Sequence, residues 1–512
     1  MGIELLSLKQ EEIMKLRNIY IVFALVLCLF SCAKDNGNYN YIDVPKIEIK
    51  DETKEGTLFV QQGVSLKLNP EVNLNGNKDE IAYEWFVYLN SASASYVQDS
   101  TKIANTKNLD YVIDPKLFTI GETYKLTYKV TNKATGISSF YFYQLSISDL
   151  FTQGWMFLED KAGKADLSMI LNNGTIYHDI YSFRNSESPI VNPKSFTIST
   201  ASISDDVGPS GKKYYIAGEH DGVEIDGTTM KKRFDYNFLF FAPPTEIKPQ
   251  YMAWGGSSGN NVGIIVNAGH VHINMVGGFP GAKKFGAQLR APEHGYDYEL
   301  APQHISGNTY TDTYNVVMYD KRNKRFYGVT TSALNKFDDA NQTASIFDMN
   351  NVGLDLIKLD SSNITEIRNA IMKDNNGKGY LLQFRTLRNA SNPSITIGKQ
   401  EISAPGIASA ADVTCSTLSP HLFYANASKL IRYEVTSNSY NEEYSFPANE
   451  TVTKIKFQKH GYGNAVPRLI VTTWNGTEGK VYYFKISQNG SVEGLDKTFT
   501  GFGKIIDLAF KF

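Results

Sequence analysis

The sequence predicts an all-β chain: a small immunoglobulin-like β-sandwich followed by a β-propeller of seven blades. Three observations lead there. From about residue 46 to 149, apolar and polar residues alternate with period two, the pattern of strands with one buried face. From 150 to 512, an apolar strand, a short polar turn and an alternating strand recur together at a spacing of roughly 50 residues, the period of a bladed architecture. The composition, with 31 Tyr and 29 Phe beside 40 Gly, favours strands joined by tight turns.

The chain begins with a positive segment, Lys15 and Arg17, followed by the apolar run Ile19 to Phe30. That run falls short of the roughly 20 residues that span a bilayer, and has the length of a signal-peptide core. It ends in Leu29-Phe30-Ser31-Cys32. A small residue before the cut and a thiol after it resemble the bacterial lipobox, with Phe30 larger than usual at the middle position. Residues 1–31 are therefore expected to be a signal peptide, with Met14 the more natural start. Cys32 is the expected site of lipidation. The polar stretch 32–45 reads as a tether, and Lys34-Asp35 resembles a surface-export signal.

The sandwich, 46–149, takes its strands from stretches such as Val64 to Leu68, Ile81 to Tyr88, Tyr124 to Val130 and Ser139 to Ile147. Thr131 to Gly136 reads as the hairpin turn between the last two, and Trp85 as a core plug. The second region, 150–512, contains seven strand pairs, beginning at Gly154, Lys213, Val262, Tyr314, Gly379, Leu422 and Arg468. The fifth is poorly paired, so six or eight blades stay open, as does a second pair of sandwiches. Ile364 to Met372 reads as an inserted helix. The C-terminal stretch from Gly503 alternates, and is expected either to complete the last blade or to close the ring with the first.

Net charge is −2 with no basic block, which leaves no electrostatic footprint for nucleic acid. With Cys28 removed and Cys32 lipidated, Cys415 has no disulfide partner in the mature chain.

Gly37-Asn-Tyr-Asn-Tyr41, Tyr83-Glu-Trp-Phe86, Gly154-Trp155 and Gly503 to Leu508, in that order and spacing, resemble landmarks of the PKD-like family lipoproteins of Bacteroidota. The resemblance spans nearly the whole mature chain. It implies a lipid-anchored place in the outer membrane, facing the cell exterior, beside a TonB-dependent transporter and its SusD-like partner. The implied role is accessory binding or presentation of a glycan, glycopeptide or other polymer. It carries over no catalytic residues.

No nucleophile elbow, zinc-protease motif or phosphate loop is present in the sequence. His270 and His272, two apart on a strand, point to one face and could share a metal, with His294 or His304 as a third ligand. Asp205-Asp206 and Asp338-Asp339 could serve a structural calcium or other divalent ion, though neither has the regular acidic spacing such a site needs. Asp166, Asp221, Asp320 and Glu434 lie near strand ends without a neighbour that marks an acid or base. Trp254 and Trp474, in turn-rich surroundings, are the candidate sugar platforms. The expectation is a surface-binding lipoprotein without catalytic residues or a resident cofactor. A secreted polysaccharide hydrolase or lyase, and a purely structural component of a transporter complex, stand as alternatives.

Overall fold

The computed structural model describes residues 46–511 except 52–56, 75–79, 91–98, 115, 149–150, 152, 201, 204–210, 257–260, 275–284, 308–313, 339–344, 387–394 and 459–466. The expected signal segment, the tether with Cys32, and the pair Asp205-Asp206 lie outside the described residues, as does Asp339. The chain forms two compact units. One holds the residues up to Thr57 with Leu66–Tyr111 and Lys125–Gln144, and the other Leu58–Ser65, Val112–Tyr124 and Leu145–Phe512.

The first unit is built on Ile81–Leu89 and Thr101–Ala104 and on most of Thr123–Asn132 and Ser138–Ser148, neighbouring strands of one sheet. Two-stranded ladders accompany it, one pairing Ile47–Lys50 with Glu71–Leu74, the other Ser65–Leu68 with Leu109–Val112. Trp85 is fully buried, stacks on Tyr128 at 4.2 Å and donates its indole N–H to the Thr106 carbonyl at 2.8 Å. It therefore fills the core. The expected hairpin turn is present: Gly136 takes φ +72°, and the Asn132 side chain accepts from the amides of Ala134 and Thr135.

Among the described residues the second unit carries seven consecutive antiparallel sheets, six of four strands and one of three. Sheet 1 consists of Gly154–Lys161, Lys164–Leu171 and Ile176–Tyr177, and it receives its fourth strand, Lys504–Lys511, from the C-terminus. Sheets 2 to 7 each run in chain order from a first, edge strand: Ser195–Ile198, Pro249–Gly255, Ile305–Ser306, Asp355–Ser361, Val413–Cys415 and Thr451–Phe457. Sheet 3 has the three strands.

Within a sheet, burial follows position. In sheet 2 the middle strands Lys213–Ala217 and Gly222–Asp226 are buried at every residue. Both their faces are covered, so their sequences read as near-continuous runs with weak alternation. The last strand of sheet 6, Ser439–Ser445, is largely exposed and reads Ser-Tyr-Asn-Glu-Glu-Tyr-Ser. Its charges suit a sheet edge that must not pair with another chain. Tight turns set the register. Ala268 and Gly269, both with positive φ, join Asn267 directly to His270, the backbone of a two-residue hairpin turn.

Hydrophobic clusters lie between successive sheets. Phe196, Tyr214 and Ile216 of sheet 2 pack with Met156 and Leu167 of sheet 1. The sequence of clusters continues to Phe423, Phe457 and Leu469 between sheets 6 and 7. The last joins Ile470, Val481 and Tyr483 of sheet 7 to Trp155, Phe157, Ile505 and Leu508 of sheet 1.

One expected element is wrong. Ile367–Lys373, expected within an inserted helix, is the second strand of sheet 5, paired on both sides. Ile364, Ile367, Ala370 and Ile371 recur at three and four residues and so imitate a helical stripe. The strand is buried from Ile367 to Met372, which removes the alternation that would have marked it. It supplies the partner that the fifth strand pair lacked. The C-terminal strand resolves the other open choice, because it pairs with sheet 1.

Leu508 on that strand is 4% exposed and packs in the cluster between sheets 7 and 1. Leu508→Ala is expected to lower stability by about 2–5 kcal/mol, read as a shift in the urea unfolding midpoint. Tyr440→Ala, on the exposed edge of sheet 6, should stay within about 0.5 kcal/mol.

Candidate functional site

The edge strands of the seven sheets line one cavity of about 670 Å³. Its wall includes Trp155 and Asp507 to Phe510 from sheet 1, Lys194 to Thr197 from sheet 2 and Tyr251 and Trp254 from sheet 3. Pro302 to Ser306, Ile357 to Ser361, Ala410 to Asp412 and Lys454 to Gln458 continue it through sheets 4 to 7. A second cavity of about 730 Å³ is formed only by Asp355 and the segments around Lys373 to Gly379 and Glu401 to Ser409. The first gathers side chains from every sheet, and is the candidate.

An edge strand facing a cavity leaves backbone N–H groups without ladder partners. Here side chains of one sheet accept them from the next. Asp507 accepts from the Phe196 amide at 3.0 Å, and Ser195 from Met252 at 3.0 Å. Gln303 accepts from Leu359 at 3.0 Å, Asp360 from Cys415 at 2.8 Å and Asp412 from Ile455 at 3.2 Å. Between sheets 3 and 4 the link is side chain to side chain, Tyr251 Oη to His304 Nδ1 at 3.0 Å.

Two charged groups at the wall are paired: Lys358 Nζ lies 2.7 Å from Asp412 Oδ1. Burial alone would raise the Asp412 carboxyl, but Lys358 and Lys454 overcome it and hold it below its usual value. For Lys358, burial opposes the charge and Asp412 more than restores it. Lys456 is different. Burial, and then the Lys358 charge, push its ammonium below the ordinary lysine value. Burial and the neighbouring Lys456 also depress His304, to about 4. Cys415 is a free, buried thiol pushed up to about 12 by burial, an inert core group.

The two candidate tryptophans are not brought together. Trp254 is 6% exposed, lies 6.1 Å from the Tyr215 ring and packs in the cluster between sheets 2 and 3, and it is among the residues lining the cavity. Trp474 ends a strand of sheet 7, opposite Thr451 and Gly479, and is absent from the cavity wall.

Nor do the histidines converge with a third ligand. His272 is buried against Phe240, with Nδ1 2.9 Å from the Gly286 carbonyl, while His270 Nε2 lies 2.8 Å from the Tyr296 carbonyl. The proposed third ligands lie elsewhere, His294 beside Arg325 and His304 beside Tyr251. Among the described residues no group of three His, Cys, Asp or Glu side chains could hold a metal ion. Asp166 accepts the Tyr181 amide in the short helix Ile180–Arg184, and Asp320 the Arg322 amide of the following turn. Asp221 accepts from Val191, and Glu434 lies against His421.

The cavity residues that sequence reasoning missed are Lys358, Asp412, Lys454, Lys456 and Asp507. Their signal was faint but present. Lys454-Ile-Lys-Phe457 alternates like a strand with two cations on one side, and Asp412 and Asp507 each stand between apolar neighbours.

Residues 32–193 match the PKD-like family. The N-terminal part of the chain is thus PKD-like. No curated protein matches the sequence. A solved quinonprotein alcohol dehydrogenase-like protein from Bacteroides thetaiotaomicron is 11% identical, with 88% of this chain and 98% of that one covered at a TM-score of 0.42. A DUF4784 family protein from Bacteroides caccae is 7% identical over 91% of this chain and 98% of that one, with a TM-score of 0.27. Likeness at that level bears on neither ligand nor chemistry.

The depressed histidine has a consequence for stability. An ordinary histidine gains its proton as pH falls through 6.5, whereas folded His304 stays neutral down to about 4. Between those values the unfolded chain binds the extra proton, so stability is full above 6.5 and falls as the solution is acidified. His178, His272 and His421 are lowered in the same sense, each chiefly by burial. The thermal midpoint is therefore expected to drop between pH 7 and 4.5, and His304→Gln should flatten part of that slope.

Proposed function

We propose that the seven sheets close into a seven-bladed propeller, and that its cavity is the binding site of a lipid-anchored protein on the outer face of an outer membrane. Closure is supported by the C-terminal strand in sheet 1 and by the cluster joining sheets 7 and 1. The anchor reading rests on the short apolar run before Cys32. In this reading the protein captures or presents a glycan, glycopeptide or other polymer for a TonB-dependent transporter and a SusD-like partner. The observation that carries the binding role is the cavity itself, which polar residues and the aromatic residues Trp155, Tyr251 and Trp254 line together. Saccharide recognition needs that combination of flat apolar surface and fixed polar groups.

The test is an array of polysaccharides and glycopeptides scored for retention and for cleavage by the purified chain. Retention of an intact saccharide is the expected outcome. New reducing ends or an unsaturated product would replace binding by catalysis. A crosslinked transporter without retention would replace it by a structural role. Separately, the native chain should carry an acyl mass, and Cys32→Ser should remove it and leave the protein in the soluble fraction. An unacylated native chain that begins before residue 32 would end the anchor reading.

A further inference from the structure

The charged groups of the cavity wall are unequally occupied. The cationic side chains are Lys194, Lys358, Arg368, Lys454 and Lys456, and the carboxylates are Asp360, Asp412 and Asp507. All three carboxylates are engaged in holding the fold together. Each accepts a backbone amide from the next sheet, and Asp412 also pairs with Lys358. Arg368 is spent on the carbonyls of Ser306, Thr365 and Ile367. Lys454 and Lys456 are not. They alternate along Thr451–Phe457, so their side chains leave the same side of the strand. Among the described residues neither ammonium makes an ion pair or hydrogen bond.

We infer that the cavity takes the anionic group of an acidic saccharide, a carboxylate or a sulfate ester, held by Lys456 and Lys454. This deepens the binding role proposed above and rests on it. An ammonium in a recess loses hydration and regains it only from a counter-charge. The wall carboxylates cannot turn to provide one without releasing the amides that join neighbouring sheets. An entering carboxylate or sulfate supplies acceptor oxygens at the point where the protein lacks them, with a charge-assisted bond stronger than a neutral one. Lys358 adds to the local positive field while remaining tied to Asp412. Half-buried Tyr251, at the same wall, offers apolar ring surface against which the sugar ring of such a ligand can lie.

The probes are matched pairs that differ in charge: oligogalacturonate against its methyl ester, and chondroitin sulfate oligosaccharides against the desulfated chain. Retention on the purified protein should favour the acidic member of at least one pair. The first pair reports a carboxylate source and the second a sulfate source. Binding of the acidic member should weaken as salt rises, and Lys456→Gln should weaken it about tenfold, the scale of one charge-assisted hydrogen bond. Lys456→Arg should recover part of it. Lys454→Gln provides the same reading should Lys456→Gln fold poorly. Equal retention of acidic and neutral members would overturn the anion assignment while leaving saccharide binding intact. Acidic retention indifferent to both lysine substitutions would also overturn it. Retention of neither member of either pair, in a chain that binds nothing on the wider array, would bring down both readings together.

Discussion

The structure of the second unit depends on one long-range pairing. Lys504–Lys511 lies antiparallel to Gly154–Lys161, from Gly154 against Lys511 to Asp160 against Lys504. Without it, sheet 1 would lack its cavity-facing strand, and Trp155, Phe157 and Ile170 would lose Ile505 and Leu508 from their cluster. Sheets in series bury their faces only against neighbours, so the first and last faces stay exposed unless the chain returns. The cost of that return is loop closure, which grows slowly with length, so a separation of hundreds of residues is tolerated once apolar burial offsets it. The cavity depends on the same event, because Asp507 to Phe510 form part of its wall.

The strands at the cavity face a conflict that explains its chemistry. They are edges, with amides that need acceptors, yet they must not offer those amides to another protein. Carboxylate and amide side chains of the preceding sheet settle this at Phe196, Leu359, Cys415 and Ile455. A consequence is that the acidic residues of the wall have a structural duty and little freedom. The polar cavity is thus a by-product of tying sheets together, and its unengaged charge is cationic.

How far the sequence could be read follows from the same geometry. Middle strands such as Val262–Asn267 and His421–Asn426 were legible because burial on both faces makes them apolar runs. The turns were legible too. Gly174, Gly377 and Gly476 have positive φ, the conformation for which glycine is selected between strands. The edge strands were not legible. Ser195–Ile198, Ile305–Ser306 and Val413–Cys415 are short, and Asp355–Ser361 carries polar residues toward the cavity, so neither length nor periodicity marks them. Lys358 lies on one of those strands and Asp412 just before another, whereas Lys454, Lys456 and Asp507 lie on strands whose alternation did not say which face meets a cavity. Trp254 was chosen for its Gly-rich surroundings, but Gly255 is tight against Val316 and His304 and leaves no room for a side chain. That glycine serves close packing between sheets 3 and 4, and the tryptophan beside it is mainly core.

The unengaged lysines can be weighed against the other way a recess might tolerate them, which is to lose their protons. Desolvation does act on Lys456, and the adjacent Lys358 charge adds to it. Yet Asp507 and Asp412 pull in the opposite direction, and the cavity is roomy enough for water to solvate an ammonium. An open cavity of about 670 Å³ exacts a smaller penalty than a sealed interior would. Water can stabilise a cation there, but it is easily displaced, whereas the backbone amides that occupy Asp360, Asp412 and Asp507 are not. The two signs of charge therefore differ in availability, not only in number. A neutral saccharide entering the same space would meet the aromatic wall but leave both ammoniums as it found them. An acidic one would use the wall and the cations together, and it is this difference that makes charge the discriminating property of the ligand.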